Sequence, residues 1–277
     1  MSAVHADPAT VTTPDRPTRG AGLRGLSRPA IVAVTIVNLG AFFGLWQLIT
    51  VLGWVNRLFL PPVTDVFAAM YHGFGDGTIQ PHLVHSLLNF VLGMAIAAAI
   101  GIPVGLLMGA NRLLDLILSP YVWSFAALPR VALVPLLILI LGFSNATQLT
   151  LIVISAVFPI IINCMAGVKT VEPSLVRAGQ VFGASRPQIY AKVIVPSTLP
   201  FVIAGVNQGM TRGLVGMLIG ELFAGNNGLG FLLNQASTNF NSPLLYAILL
   251  ILAVFSLAFV QSARWLERRV ASWRETS

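Results

Sequence analysis

Six long runs of apolar residues, separated by short polar segments, constrain this chain more than any other feature. A helix that crosses about 30 Å of hydrocarbon needs roughly 20 mostly apolar residues, because no water there can satisfy the backbone. Only 9% of the 277 residues are charged and 56% are hydrophobic, which does not suit a soluble surface. The sequence therefore predicts an all-α integral membrane protein with six transmembrane helices. The runs are about Ala30–Trp54, Leu87–Ala110, Tyr121–Gly142, Ala146–Val168, Leu199–Leu222 and Leu244–Leu266.

The basic residues are divided unevenly between the two sides of the predicted membrane. Thirteen of the sixteen Lys and Arg residues fall on one side, Arg57 falls on the other, and Arg130 and Arg212 lie within runs. Cytoplasmic loops carry such an excess of positive charge, so both termini are predicted to be cytoplasmic. This bias also explains the net charge of +7 without nucleic acid as a partner. Residues 1–29 are predicted to form a disordered tail and residues 267–277 a second tail.

Prolines interrupt the pattern at two places. Pro61 and Pro62 stop the chain after the first run, and Val63–Phe74 then shows apolar residues at helical spacing. We therefore expect an amphipathic interfacial helix within an outer segment of residues 55–80. The third run contains three prolines, and each is predicted to kink that helix and to favour a hinge or a cavity wall. These are Pro120, Pro129 and Pro135.

Small residues recur at about every fourth position of the second and fifth runs. Lipid provides no hydrophobic drive between helices, so close backbone approach through small residues has to stabilise their association. This pattern predicts a compact helix bundle and by itself predicts no chemistry. The residues are Gly93, Ala97, Gly101, Gly105 and Gly109 in the second run, and Gly205, Gly209, Gly213, Gly216 and Gly220 in the fifth.

Polar residues inside the runs are candidates for a translocation path. A charge at the bilayer centre costs about 2.5–3.5 kcal/mol on insertion scales, so such residues should face the protein interior or water. Arg212 and Glu221 are nine residues apart, hence on opposite sides of one helix, and cannot pair with each other. The alternatives are that Arg212 snorkels or that the arginines form ion pairs between helices. The candidates are Arg130, Asn207, Gln208, Thr211, Arg212 and Glu221.

The sequence contains no recognisable catalytic or nucleotide-binding motif. Neither lysine, Lys169 or Lys192, lies in the G-x-x-x-x-G-K-[ST] pattern of a phosphate-binding loop. His82 and His85 are three residues apart but have no carboxylate near them in sequence, so a metal site is not expected. We therefore expect neither an enzyme nor a bound cofactor.

The polar loop of residues 169–197 predicts two short helices. Glu172 and Pro173 suit the start of the first helix, and Gly183 suits its end. Ser185 and Gln188 have the spacing of a capping box for the second, which is predicted to stop at Pro196. Such a rigid hairpin with exposed apolar surface is typical of a docking site for a protein. The alternative is an amphipathic loop on the membrane surface.

This loop resembles the EAA signature of binding-protein-dependent ABC importer permeases, E-A-A-x3-G-x9-I-x-L-P. Further stretches are similar to the nitrate, sulfonate and taurine branch, and the similarity covers about residues 60–270. Arg177 stands where the signature has Glu, and Gly179 stands where it has its second Ala. The matching stretches are 177–183 with 193–196, 128–135, 158–159 with 166–168, and 220–222 with 228–230.

The resemblance implies a type I importer bundle, with a permease domain over residues 81–266 and a coupling loop over 169–197. It implies a cytoplasmic ABC ATPase dimer docked on that loop, an extracytoplasmic substrate-binding protein, and a second permease copy in a multi-pass inner-membrane assembly surrounded by lipid. Glu172 is the carboxylate left to replace the missing Glu of the signature. The residues carried over to ATPase coupling are Glu172, Arg177, Ala178, Gly179, Gly183, Ser185 and Pro196.

Two functions remain open on the sequence. One is the transmembrane subunit of an ATP-driven importer, and the other is a self-sufficient channel or secondary carrier for small anions. Arg130 and Arg212 suit an anion such as nitrate, taurine or a sulfonate, whereas relatives of this branch also import neutral nutrients.

Overall fold

The computed structural model describes residues 28–271 of the chain, with side chains from 29 to 262. Over this range the chain forms eleven α-helices and no strand, which confirms the predicted all-α class. The helices are α1 (Arg28–Val51), α2 (Val63–Gly75), α3 (Ile79–Ala110), α4 (Arg112–Ala127), α5 (Val134–Leu141), α6 (Asn145–Lys169), α7 (Pro173–Val181), α8 (Arg186–Ile189), α9 (Val195–Ala224), α10 (Leu229–Thr238) and α11 (Ser242–Ala271).

Both predicted tails fall largely outside these residues. The helix α1 already begins at Arg28, and α11 continues to Ala271, so the helical segments are longer at both ends of the chain than the apolar runs. The predictions for residues 1–27 and 272–277 lie outside the described residues.

Five helical segments are long and apolar enough to cross a membrane, and they match five of the six predicted runs. The fourth of them extends well beyond its run, because α8 and α9 form one helical segment. The segments are Pro29–Val51, Ile79–Ala110, Asn145–Lys169, Arg186–Ala224 and Ser242–Ser262.

The third run is not one kinked helix, as the sequence predicted, but two helices. The axes of α4 and of the segment 130–141 differ in direction by 98°, so together they make at most one broken span. The break is at Pro129, because the residue before a proline is driven out of the helical region, and Leu128 is extended with φ −63° and ψ 133°. Pro120 lies inside α4 without ending it, and Pro135 lies in the first turn of α5, where no N–H is needed.

The centre of the bundle is α6, which packs between α3 and α9 through their small residues. A Cβ on Gly105 of α3 would lie 2.6 Å from the carbonyl oxygen of Ile161, and one on Gly216 of α9 would lie 2.6 Å from that of Leu151. Only glycine allows such backbone contact, so the small-residue stripes have the packing role that the sequence predicted. We call these contacts of α3 and α9 with α6 the glycine seam.

The helix predicted over residues 63–74 is α2, which ends at Gly75 as Gly77 takes a positive φ of 81°. Its Val66 is fully buried and α2 packs against α11, whereas Phe67 and Tyr71 are exposed. The first span, α1, contacts the bundle mainly near its C-terminal end. Trp46 Nε1 donates a hydrogen bond to the Pro61 carbonyl at 2.9 Å, and the Trp46 ring lies 5.4 Å from that of Tyr246 on α11. The interfacial position of α2 stays a prediction.

Candidate functional site

The polar loop of residues 169–197 folds as two helices, α7 and α8, and we call residues 173–189 the coupling hairpin. Glu172 precedes α7 in an extended conformation, and Pro173 occupies the first helical turn, as the sequence predicted. Gly183 ends the first helix with a φ of +74°, which side chains with a Cβ rarely adopt. The turn is therefore tight, and it fixes the direction in which α8 leaves α7.

The apolar tip of the coupling hairpin is almost fully exposed to solvent. Val181 is 85% and Phe182 89% exposed, and Leu175 on the same helix is 48% exposed. Arg177 and Ala178 are exposed beside them. Two adjacent large apolar side chains at such exposure are typical of a surface that another protein covers.

Gly179 points the other way, into the hairpin. A Cβ at this position would lie 3.2 Å from Cγ1 of Ile189, which is itself buried. The residues that carry the EAA resemblance are thus divided between two roles. Arg177 and Ala178 form the outer surface, and Gly179 lets α7 pack closely on α8.

The second helix of the hairpin does not stop at Pro196, contrary to the sequence prediction. The N–H of Ser185 donates to Oε1 of Gln188 at 2.8 Å, so the predicted pairing at the start of α8 is present. After Ile189 the chain forms a π-helical turn, Tyr190–Ile194, in which the N–H of Val195 bonds to the carbonyl of Tyr190. Because this wider turn does not use an N–H at residue 196, Pro196 fits in the first turn of α9 and the helix continues.

Arg130 lies at the break between α4 and α5. Its Nη1 donates to the carbonyls of Phe125 at 3.2 Å and Ala126 at 3.1 Å, and also to that of Leu128. These carbonyls end α4 without helical partners, and the guanidinium caps them. Arg130 therefore acts as a helix cap in this structure, and a role in the translocation path stays a prediction.

A polar face of α9 lies opposite its glycine face. Gln208, Thr211 and Arg212 are exposed there, and Oε1 of Gln208 accepts a hydrogen bond from Nδ2 of Asn163 on α6 at 2.9 Å. Arg130 lies just before α5, and α5 packs against α9. The structure thus brings four of the six path candidates from the sequence toward one surface, which we call the polar face. They are Arg130, Gln208, Thr211 and Arg212.

Two features of this region were missed at the sequence level. Asn163 is a polar residue inside an apolar run, a signal that was available. The rings of Phe125 and Phe158 stack at 5.9 Å with an angle of 7° between their planes, joining α4 to α6 beside the Arg130 cap. No spacing rule connects two phenylalanines from separate helices, so only the tertiary structure could show this pair.

Asn207 faces a different space from Gln208. It lines a cleft of about 590 Å³ between α3, α9 and α11. The cleft is otherwise almost entirely apolar, with Phe90, Met94 and Phe259 among its walls. One turn of α9 therefore presents polar groups both to this cleft and to the polar face. A role of Asn207 in the translocation path stays a prediction.

Glu221 is fully buried on the glycine side of α9, opposite Arg212. Its Oε2 accepts a hydrogen bond from the N–H of Gly230 at 2.9 Å. A Cβ on Gly228, which has a φ of +109°, would lie 2.3 Å from the carboxyl carbon. The carboxyl thus holds the glycine-rich turn before α10, and a role in the translocation path stays a prediction.

Two side chains of α3 complete this attachment of α10. The N–H of Gly228 donates to Nδ1 of His82 at 3.1 Å, and the N–H of Leu229 donates to Oγ of Ser86 at 2.8 Å. Together with Glu221 they satisfy three successive N–H groups at the start of α10, a task that local side chains usually perform. His85 instead joins a polar cluster with Asn89 and Gln148.

The model of the family described as "Binding-protein-dependent transport system inner membrane component" matches residues 101–272. The chain belongs to this family. It is a multi-pass membrane permease of an ABC transporter, and the family match includes the coupling hairpin and the polar face.

Several curated relatives of this permease are similar over most of their length. The taurine transport system permease protein TauC of Escherichia coli is 30% identical, over 87% of this chain and 90% of the relative. The putative aliphatic sulfonates transport permease protein SsuC of Bacillus subtilis is 27% identical, over 92% and 88%. The riboflavin transport system permease protein RibX of Chloroflexus aurantiacus is 28% identical, over 91% and 94%.

The fold of the permease is also known from a solved structure. An inward-facing conformation of the MetNI methionine ABC transporter matches with a TM-score of 0.60 and 20% identity, covering 68% of this chain and 94% of that one. At this identity the match concerns the fold alone, and it confirms the predicted importer-like bundle.

Proposed function

We propose that this permease docks a cytoplasmic ABC ATPase dimer through the coupling hairpin and so drives the import of a small solute. The exposed pair Val181 and Phe182 supports this proposal most directly. Covering a large apolar side chain contributes about 1.5–3 kcal/mol, and nothing within the described chain covers these two. Since α8 continues through the π turn into α9, a push on the hairpin reaches the polar face through one helical segment.

The proposal includes the orientation in the membrane. The coupling hairpin and both termini lie in the cytoplasm, because the excess of basic residues is on that side. The opposite end of the bundle, with α2 and α10, then receives solute from an extracytoplasmic binding protein.

We further propose that the polar face lines the translocation path and that a second permease copy completes it. An exposed arginine on a spanning helix is costly next to lipid, so a facing subunit and water are the better surroundings for Arg212. The neighbouring helix α5 is apolar, with Leu139 83% exposed, and lipid can cover it. The exposed polar groups of α9 are therefore what a second copy, in a homodimer, would cover.

The solute that fits these groups best is a small organic anion or zwitterion with a sulfonate group. Arg212 supplies a guanidinium to an anionic oxygen group, and Gln208 and Asn163 supply amide groups. The solutes named for two relatives, taurine and aliphatic sulfonates, agree with this chemistry, whereas riboflavin, named for a third, has no anionic group. We therefore propose taurine or an alkylsulfonate, recognised first by the binding protein.

Reconstitution tests the importer function directly. Vesicles containing the permease, its ATPase and its binding protein should accumulate labelled taurine with ATP, and vesicles containing only the permease should not. The Gly183→Asp variant should insert normally but lose uptake, because it strains the turn of the hairpin. Gly77→Asp is the matched control, since Gly77 has a similar φ of +81° and equally open surroundings away from the hairpin. Flux through the permease alone, or full uptake by Gly183→Asp, would instead favour a self-sufficient channel or carrier.

The path is tested by Arg212→Gln, which keeps a polar side chain and removes the charge. Uptake of taurine should fall while the rate of ATP hydrolysis and the thermal stability remain, since Arg212 is exposed in the single subunit. Unchanged uptake by this variant would show that the polar face does not line the translocation path. A thermal-shift screen of the binding protein with taurine, alkylsulfonates and riboflavin decides the solute class.

A further inference from the structure

The chain connects the coupling hairpin to the bundle on both sides, and the residue that directly follows the hairpin adds a side-chain contact. Residues 170–172 join α7 to α6, and the π turn joins α8 to α9. The hydroxyl of Tyr190, the first residue of the π turn, donates to the carbonyl oxygen of Leu106 on α3 at 2.8 Å. This contact joins positions 84 residues apart in sequence.

Tyr190 is placed where the hairpin meets the π turn. The residue before it, Ile189, is buried against Gly179 of α7, so a displacement of α7 carries the start of the turn with it. The backbone carbonyl of Tyr190 accepts the N–H of Val195, which is the hydrogen bond that defines the π turn. Tyr190 is therefore connected to three elements. Its neighbour Ile189 packs in the hairpin, its carbonyl is bonded at the start of α9, and its hydroxyl is bonded to α3.

The acceptor of the hydroxyl lies in a rigid part of the bundle. Leu106 follows Gly105, and Gly109 comes one turn later; a Cβ on either glycine would lie within 3 Å of atoms of α6. The end of α3 that Tyr190 contacts is therefore locked to α6 by the glycine seam, and it cannot yield separately.

The π turn itself is the weakest part of this connection. Wide turns of this kind are rare, and they occur mostly as single turns at functional sites in helices. A proline inside α9 reduces the helical hydrogen bonds further, because Pro200 has no N–H to donate. A turn with fewer bonds can bend, and a bend there would absorb a push on the hairpin before it reached α9.

We propose that Tyr190 is a positioning residue of the transport cycle, whose hydroxyl ties the coupling hairpin to α3 so that the hairpin moves α3, α6 and α9 together. The proposal rests on the hairpin being the ATPase docking site. With the tie, motion of the hairpin is passed to the seam and the polar face. Without it, the π turn bends and ATP is hydrolysed with little movement of the path.

The test is Tyr190→Phe, which removes one oxygen atom and leaves the ring in place. Tyr121→Phe is the matched control, because Tyr121 is an exposed tyrosine on α4. The permease is purified with its ATPase, and the spread of the distance between spin labels at Gln180→Cys on the hairpin and Ile100→Cys on α3 is measured with and without ATP. Both positions are exposed, and the single native cysteine, Cys164, is buried, so the labels are specific.

We expect a narrow distance distribution in the wild type and in Tyr121→Phe, and a broad one in Tyr190→Phe. The loss of one neutral hydrogen bond shifts a two-state equilibrium by about fivefold, so taurine transported per ATP should fall by roughly that factor. ATP hydrolysis and the melting temperature of the complex should stay near the wild-type values.

Other outcomes separate the two proposals. If the wild-type permease does not copurify with the ATPase, the docking role fails. If the complex forms but Tyr190→Phe keeps the wild-type distance distribution, only the role of Tyr190 fails. A variant that loses ATP hydrolysis and melting temperature in parallel, with an unchanged ratio of solute to ATP, would show that the hydroxyl only stabilises the fold and would also overturn the inference.

Discussion

The glycine seam and the coupling hairpin use small and apolar residues in opposite ways. In the seam, glycines let backbones touch, and fully buried side chains such as Ile152 and Ile160 of α6 fill the space between them. In the hairpin, the large apolar side chains Val181 and Phe182 point outward. The seam is complete within one subunit, whereas no described residue covers these two side chains of the hairpin. We therefore expect stability to depend mainly on the seam, and docking, as proposed above, on the hairpin.

The largest effect should come from filling the seam. Gly105→Val places a Cβ 2.6 Å from the Ile161 carbonyl oxygen and 2.7 Å from Cβ of Cys164. The backbones of α3 and α6 are both helical here, so neither helix can move away easily. Overpacking of this kind costs about 3 kcal/mol or more. We expect a clearly lower melting temperature in detergent, or loss of folded protein. Gly44→Val on α1 is the control, since Gly44 has open space around it; equal melting temperatures for the two variants would contradict the comparison.

The next effect concerns binding, not folding. Phe182→Ser should leave the melting temperature of the isolated permease unchanged, because the ring is 89% exposed. It should weaken binding of the ATPase by up to about 3 kcal/mol, or two orders of magnitude, if the ring is covered there. The dissociation constant measured with the detergent-solubilised permease checks this, with Gln180→Ser on the same helix as control. A lower melting temperature together with unchanged ATPase affinity would show that Phe182 stabilises the fold and does not bind the ATPase.

The third prediction concerns Glu221, whose carboxyl holds the start of α10 at one end of the seam. Glu221→Ala removes the acceptor of the buried Gly230 N–H, and an unsatisfied buried donor costs about 2 kcal/mol. Glu221→Gln keeps an oxygen in the same position and should retain most of the stability. Thermal unfolding of both variants, with proteolysis near residues 225–230 as a local probe, measures the difference. Identical behaviour of the Ala and Gln variants would show that the hydrogen bond does not matter.

The smallest effect is expected where the seam meets the hairpin. Nζ of Lys169 lies 2.6 Å from Oδ2 of Asp115, but both side chains are partly exposed to solvent. Such surface pairs contribute only about 0–1 kcal/mol. Lys169→Met should therefore change the melting temperature little, and the change should decrease further in high salt. A large loss of stability would mean that this pair, and not the glycine contacts, holds the inner ends of α4 and α6 together.

The sequence predicted the fold class and the seam well because both follow from local composition. Runs of apolar residues and glycines at every fourth position can be recognised without knowing the partner helix. The broken third span was missed, because a proline that kinks a helix and one that ends it look alike in sequence: Pro120 stays inside α4, and Pro129 marks the break. The prediction that a helix ends at Pro196 is wrong because a π turn accommodates this proline, and such a turn leaves no clear signal in the sequence.

The candidate site was predicted as a set of residues but not as a surface. Arg130, Gln208, Thr211 and Arg212 were found because polar groups are conspicuous in apolar runs. Asn207 and Glu221 lie on other sides of α9, and the sequence could not show this because it depends on which helices surround α9. The tie from Tyr190 to Leu106 depends on a contact between positions that are distant in sequence, so no spacing rule could indicate it.

The sequence by itself determined that this protein is a helical membrane permease with a two-helix loop between its fourth and fifth apolar runs, because hydrophobic length, small-residue spacing and turn chemistry act over a few residues. Only the tertiary structure decided which polar groups face one another, where the third span breaks and how the hairpin is tied to the bundle. These features depend on the directions of whole helices, and those directions result from the packing of all of them at once.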